Sequence, residues 1–272
     1  MSVLRRGVVA LVVTLGMLAG GVGASPASAA VPGTVPHPHQ VVTILGDSVM
    51  VDGSPGIQAV LESTGQVTVY PRAFPGYGLT KADWHTDYTR ILNETKPTGV
   101  VILLGGFDLA YAEANPVAYG ALIGQVMDLL TSRGAQVAWI GELPGSARFE
   151  NDVQRRNLNR IIDAQAALHP NVHWVSSDST FDGPNGQYEM FGPAPGSHGP
   201  VRLRKVDGQH LCPDGAARLG QLVYDTLRVP LRLRAPAKDW RSGSWRDASV
   251  YTMSTAYNAR TLKLTTNVCP PR

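Results

Sequence analysis

Residues Gly99–Leu104 read Gly-Val-Val-Ile-Leu-Leu, an apolar run with no polar break. A strand that is apolar on both faces must be covered on both, the condition of a parallel sheet held between helices. Val41–Leu45, Val67–Tyr70, Gln136–Ile140 and Val172–Val175 are further short runs of strand character. Helical spacing fills the gaps between them. Ile57–Ser63 belongs to a helix ending near Gly65. Asp83–Glu94 sets Trp84, Tyr88, Ile91 and Leu92 on one face. Pro116–Ser132 is a long helix with Gly134 beyond its end. Asp152–Leu168 carries Leu158, Ile161, Ile162 and Ala166 as its stripe, and Asp214–Leu227 closes the series. Strands alternating with helices in this way predict an α/β protein, a three-layer α/β/α flavodoxin-like sandwich around a five-stranded parallel sheet. Ligands of such sheets bind beyond the carboxyl ends of the strands.

The chain of 272 residues, 43% apolar and 17% charged, is long enough to bury one α/β core. Its first 30 residues have the layout of a secretory signal. Arg5 and Arg6 precede an apolar stretch from Gly7 to Gly21, and Ala27-Ser28-Ala29 supplies small residues for cleavage after Ala29 or Ala30. Residues 31–40 read as a linker rich in Pro and His. The α/β domain is expected over 41–229, followed by a C-terminal extension over 230–272. Removal of the leader takes two of the 24 Lys and Arg, leaving 22 against 21 Asp and Glu, so nothing in the charge balance calls for a nucleic-acid partner. In an exported protein the only two cysteines, Cys212 and Cys269, are expected to pair, tying the tail to the loop just after His210. Their spacing fits no metal site, and no cofactor is called for.

The first apolar run ends in Gly46-Asp47-Ser48, which places a serine at the tip of a buried strand. Far downstream, Asp207-Gly208-Gln209-His210 sets a carboxylate three residues before an imidazole. A serine hydroxyl needs a base within hydrogen-bond reach, and that base needs a group to fix its tautomer, so Ser48, His210 and Asp207 are the candidate nucleophile, base and orienting acid. Backbone amides must also meet the developing oxyanion. Ser48 can supply its own, and Gly76 and Gly78, in Phe-Pro-Gly-Tyr-Gly just past the second strand, allow close backbone approach. Asp47 is expected to hydrogen-bond across its loop and hold Ser48.

These residues resemble the SGNH (GDSL-type) hydrolases over roughly Val41 to Arg228. Gly46-Asp47-Ser48 is similar to the first block of that family, Pro75-Gly76 to the second and Asp207-x-x-His210 to the last. The resemblance implies a serine esterase working through an acyl-enzyme, with an ester as its partner molecule. The third block departs from the pattern. Where the family has Gly-x-Asn-Asp, this chain has Gly105-Gly106-Phe107-Asp108, so the asparagine that donates to the oxyanion is a phenylalanine. Either backbone amides suffice or another side chain substitutes. Asp108 is expected to cap the segment that follows, or else to touch substrate. An aromatic residue followed by an acid there, together with Arg204-Lys205-Val206-Asp207-Gly208-Gln209-His210, resembles domains linked to bacterial cell-envelope O-acyltransferases. That implies O-acyl chemistry on envelope glycans, as esterase or, with a membrane acyl donor as partner, as transferase. A glycan-binding module on an inactive hydrolase fold is the third reading.

Arg202, Arg204 and Lys205 read as a solvated basic face, or as an attractor for an anionic group. Tyr188, Met190 and Phe191 either line a pocket or pack. Trp240, Trp245 and Tyr251 in the extension are read as covering the core rather than binding sugar.

Overall fold

The computed structural model describes residues 37–270, except 81–82, 147–150, 253–254 and 259–262; residues 255–258 and 263–266 are described by their backbone. The expected leader and residues 31–36 of the expected linker lie outside the described residues.

Strands β1 (Gln40–Gly46), β2 (Val67–Pro71), β3 (Gly99–Leu103), β4 (Gln136–Ile140) and β5 (Val172–Val175) form one all-parallel sheet in the order β2-β1-β3-β4-β5. The chain leaves β1 toward β2 at one edge, then returns to place β3 on the other side of β1. The carboxyl end of β1 is therefore the switch point of the sheet, where α/β proteins hold their ligands. Every residue of β3 is buried, as its composition requires. Val101 and Leu103 face the helices α1 (Ser48–Glu62) and α7 (Pro213–Leu227). Val100 and Ile102 face the layer of α2 (Trp84–Thr95), α4 (Pro116–Thr131) and α5 (Asp152–Ala166). A short α3 (Leu109–Ala114) precedes α4, and α6 (Asp178–Phe181) follows β5. Neither is long enough to leave an apolar period in the sequence.

The packing of α1 on α7 positions the site. From its apolar spacing α1 is expected only around 57–63, yet it begins at Ser48. Gly53, Pro55 and Gly56 hide its first half in the sequence, and the structure gives Gly56 a purpose together with Gly220 of α7. A Cβ on Gly56 would lie 2.4 Å from Ala216 O, and one on Gly220 would lie 2.6 Å from Gly56 O, so the two helices touch backbone to backbone. Their contacts run in step. Asp52 meets Leu211, Gly56 meets Ala216, and Gly56 with Ile57 meets Gly220. The helices are therefore parallel, and their N-termini lie at the same end, beside the carboxyl end of β1.

Between α6 and α7 the Gly- and Pro-rich stretch forms a two-residue antiparallel pairing of β6 (Phe191–Gly192) with β7 (Val201–Arg202). Beyond α7 come two 3₁₀ turns (Trp240–Ser242 and Ser244–Asp247), α8 (Ser249–Thr252) and a hairpin of β8 (Thr255–Asn258) with β9 (Lys263–Thr266). Trp240 and Tyr251 are buried and Trp245 stacks on Trp240 at 6.3 Å, so these aromatics cover the core. A disulfide joins Cys212 to Cys269.

Candidate active site

β1 delivers its last residues to α1 with no intervening loop. Gly46 makes the turn at φ +148°, where a Cβ would stand 2.3 Å from Leu103 O and 2.6 Å from Met50 Cβ. Asp47 then caps α1, its Oδ1 accepting from Val49 N at 2.9 Å. This is a local cap rather than the cross-loop bond expected from the sequence. It fixes the first turn of the helix and with it Ser48, the first helical residue.

His210 arrives from the other side, just before α7. Its Nε2 lies 2.8 Å from Ser48 Oγ, and its Nδ1 lies 2.5 Å from Asp207 Oδ2. A carboxylate only accepts, so Nδ1 carries the proton and Nε2 is left as acceptor for the serine hydroxyl. The structure thus brings Ser48, His210 and Asp207 into one line of hydrogen bonds.

The loop bearing Asp207 and His210 is tightly built. Lys205 N donates to His210 O at 2.7 Å, Cys212 N to Leu203 O at 2.9 Å and Gly208 N to Lys205 O at 3.0 Å. Asp207 Oδ1 accepts from the amides of Gln209 at 2.9 Å and His210 at 3.1 Å. Arg204 and Lys205 are fully buried, which overturns both sequence expectations for them, the solvated face and the attractor. Arg204 donates to Gln209 O at 2.7 Å and Pro144 O at 2.9 Å, with its guanidinium over the Phe181 ring. Lys205 Nζ pairs with Asp52 at 3.0 Å and donates to Val250 O at 2.7 Å. Arg202 is half-buried and lies over Phe191. Three cations close in sequence look like surface, but two of them are the internal struts of the loop.

Asp52 and Asn267 are site residues that the sequence reading missed. Asp52 Oδ2 accepts from Leu211 N at 3.1 Å, fixing the residue after the imidazole. No local signal marked Asp52, because Gly53, Pro55 and Gly56 hide the helical turn on which it sits. Asn267, from the far end of the chain, donates Nδ2 to Asp207 Oδ2 at 2.7 Å, and only its nearness to Cys269 could have pointed to it.

Burial works against the Asp207 charge, but the hydrogen bond and charge of His210, then the amides of Gln209 and His210, bring its carboxyl down to about 2. Burial likewise disfavours the imidazolium; the Asp207 hydrogen bond and charge, with the Asp52 charge, outweigh it and leave His210 above the usual imidazole range. Burial pushes Asp47 up to about 6, against the pull of the Val49 amide and of His210. It pushes Asp52 up to about 6 as well, in spite of Lys205.

The loops after β2 and β3 flank Ser48. Phe74 N donates to Gly46 O at 2.9 Å, which holds the first of them against the tip of β1. Asp108 is fully buried and its side chain caps no helix. Instead it clamps the two loops together, accepting from Leu79 N at 2.8 Å, Thr80 N at 3.1 Å and Thr80 Oγ1 at 2.6 Å, with Tyr119 OH at 3.3 Å. The expected capping role is thus replaced by a cross-loop one. Gly78 is buried, and a Cβ there would lie 2.9 Å from both Phe107 Cβ and Asp108 Oδ1; Gly76 is exposed. Among the described residues no hydrogen bond uses the amides of Ser48, Gly76 or Gly78 as donors. Phe107, like Phe74 and Tyr111, stands about two-fifths exposed, at 42%, 41% and 43%.

Solved structures with this arrangement of strands and helices include TesA (21% identity, 71% of this chain and 99% of that chain covered, TM-score 0.51). The lipase/acylhydrolase from Enterococcus faecalis is another (16%, 73% and 99%, 0.51), as is the acetyl xylan esterase AlAXEase (15%, 68% and 98%, 0.52). At these identities the likeness is one of fold alone, and it extends to a protein described as "a putative SGNH hydrolase from Slackia heliotrinireducens" (16%, 70% and 99%, 0.50). No curated protein sequence matches the chain. The family model described as "Protein of unknown function (DUF459)" matches residues 41–226, from the strand that delivers Ser48 to the helix that follows His210, and the chain belongs to that family.

Proposed function

We propose that this protein is a secreted serine esterase that cleaves O-acyl esters, of acetyl or short-chain type, through an acyl-enzyme on Ser48. The observation that carries this is the 2.8 Å approach of His210 Nε2 to Ser48 Oγ, with Asp207 on the opposite ring nitrogen. His210 takes the hydroxyl proton as Ser48 Oγ attacks the ester carbonyl. Asp207 stabilises the imidazolium that forms. The oxyanion is met by the amides of Ser48, at the positive end of α1, and of Gly76. Gly78 lets the two flanking loops meet. The imidazolium then protonates the leaving alcohol, and a water activated by the same imidazole releases the acid.

The substrate we favour is an acylated glycan of the cell envelope. Phe74 and Phe107, on the loops after β2 and β3, and Tyr111, on α3, present partly exposed rings, which suits stacking on a sugar face. The Cys212–Cys269 disulfide suits an oxidising compartment outside the cytoplasm, as does the expected leader, with cleavage near Ala29 or Ala30.

Acyl transfer to a sugar hydroxyl instead of water follows from the same intermediate, with a membrane protein as acyl donor. An excess of transfer over hydrolysis in the presence of a sugar acceptor would select it. Phe107, in place of an oxyanion asparagine, favours the other reading, a glycan-binding module without turnover. Turnover of p-nitrophenyl acetate and of acetylated glycans by the wild type but not by Ser48→Ala supports the esterase; equal rates in the two proteins would remove it.

A further inference from the structure

The C-terminal segment does more than cover the core. Tyr251 OH donates to Asp52 O at 2.9 Å, and Lys205 Nζ donates to Val250 O at 2.7 Å, so the start of the segment rests on the base of the His210 loop. Cys269 N donates to Tyr251 O at 3.0 Å, and Cys269 is bonded to Cys212, two residues past the imidazole. Those links fix the chain two residues from Asn267.

Asn267 is 2% exposed, and its Nδ2 reaches the same oxygen, Asp207 Oδ2, that accepts from His210 Nδ1. The orientation of the amide follows from chemistry. With the nitrogen and oxygen exchanged, two acceptors would face each other. The carboxamide oxygen, also buried, has no hydrogen-bond partner among the described residues, so the carboxylate and not the needs of Asn267 sets this orientation. The Asp207 carboxylate thereby takes four donors: two backbone amides, the imidazole and Asn267.

We propose that Asn267 is a positioning residue for the Ser48–His210–Asp207 array, held on Asp207 by the disulfide-anchored tail, so that the tail is a working part of the site. The role presupposes the acyl-transfer function above. A donor on Oδ2 stops the carboxylate from rotating away from the ring and draws off part of the charge that stabilises the imidazolium. The charged groups around His210 are Asp207, Asp52, Lys205 and Asp47, and none is altered by a change at 267.

The test compares the full chain with Asn267→Ala, with Asn267→Leu, which keeps the branched shape and removes the donor, and with Cys212→Ser/Cys269→Ser. Three quantities are read: the His210 titration by imidazole NMR, kcat and KM against pH, and the Tm. In all three variants the His210 titration and the acid limb of the rate profile should move to higher pH. We expect kcat to fall roughly ten- to hundredfold, the scale of one hydrogen bond to a charged group, at unchanged KM. Removing the cysteines from Asn267→Ala should add nothing to the shift, because the two changes act on one contact. An unmoved His210 titration in folded Asn267→Ala and Asn267→Leu overturns the role, as does a cysteine variant changed in Tm alone. Loss of Ser48-dependent turnover as a premise is a separate failure: the wild type would then hydrolyse no ester, while the NMR titration would still report on Asn267.

Discussion

Lys205 Nζ stands 3.0 Å from the Asp52 carboxylate with the lysine side chain out of solvent altogether and the aspartate 3% exposed. Asp52 also holds the Leu211 amide and Lys205 also holds Val250 O, so the pair joins α1, the His210 loop and the C-terminal segment. A buried pair adds little against a hydrophobic replacement of both members, but loss of one member leaves a charge with no compensation. Lys205→Met should therefore cost about 3–5 kcal/mol in denaturant unfolding, and Lys205→Met/Asp52→Leu should recover part of it. A loss under about 1 kcal/mol for the single variant would show that the pair does not bind these elements together.

Asp47 gives a pH signature of its own. Its folded carboxyl, raised to about 6 from an ordinary 3.8, binds its proton more tightly than the unfolded chain does. The stability this contributes is complete below about 3.8 and is lost as the pH rises through about 6. Asn at this position still accepts from the Val49 amide and needs no charge. Asp47→Asn should thus stabilise the fold by up to about 3 kcal/mol at pH 8 and leave it unchanged at pH 4. Unfolding curves at the two pH values check this, and an equal effect at both would contradict it.

Gly46 leaves no room for a side chain. Gly46→Ala would place Cβ 2.3 Å from Leu103 O, backbone that cannot move aside without shifting β3, at a φ of +148°. A loss of roughly 3 kcal/mol or more is expected, with Ser48 displaced in the variant that does fold. A variant with wild-type Tm and activity would show that the strand-to-helix turn is not set by this contact.

Asp207 and His210 predict how the rate depends on pH. His210 must be neutral to accept the serine proton, and its titration is raised, so the acid limb of kcat/KM should have its midpoint above the ordinary imidazole value of 6.5. Asp207→Asn turns an amide toward Nδ1 and favours the wrong tautomer. It should lower kcat on the order of 10⁴-fold with the fold intact. A loss below about tenfold would place the orienting group elsewhere.

The layers were legible because they are written in local pattern. The apolar runs of β1, β3 and β4 and the stripes of α2 and α5 stand where their periodicity puts them, within a residue or two. Gly46-Asp47-Ser48 and Asp207-x-x-His210 were visible for the same reason, each being short and contiguous. What stayed hidden depends on contacts between distant segments. The first half of α1 looks like a turn, since Gly53, Pro55 and Gly56 are poor helix formers, and only the close approach of α7 explains the two glycines. Arg204 and Lys205 look like surface until Pro144, Val250 and Asp52 are seen around them. Asp108 looks like a cap, but its partners Leu79 and Thr80 lie on another loop. Asn267 carries no signal beyond its nearness to Cys269, since its role is defined by a carboxylate 60 residues away.

The most direct measurement is covalent capture of the nucleophile. The full chain is treated with a fluorophosphonate probe at neutral pH and the modified residue is found by peptide mass spectrometry, with Ser48→Ala in parallel. A serine activated by His210 should carry one phosphonyl group, on Ser48, at a rate that falls as the imidazole is protonated, and Ser48→Ala should take none. A wild type that stays unmodified, or that is modified at another serine while Ser48→Ala reacts equally, would contradict the account.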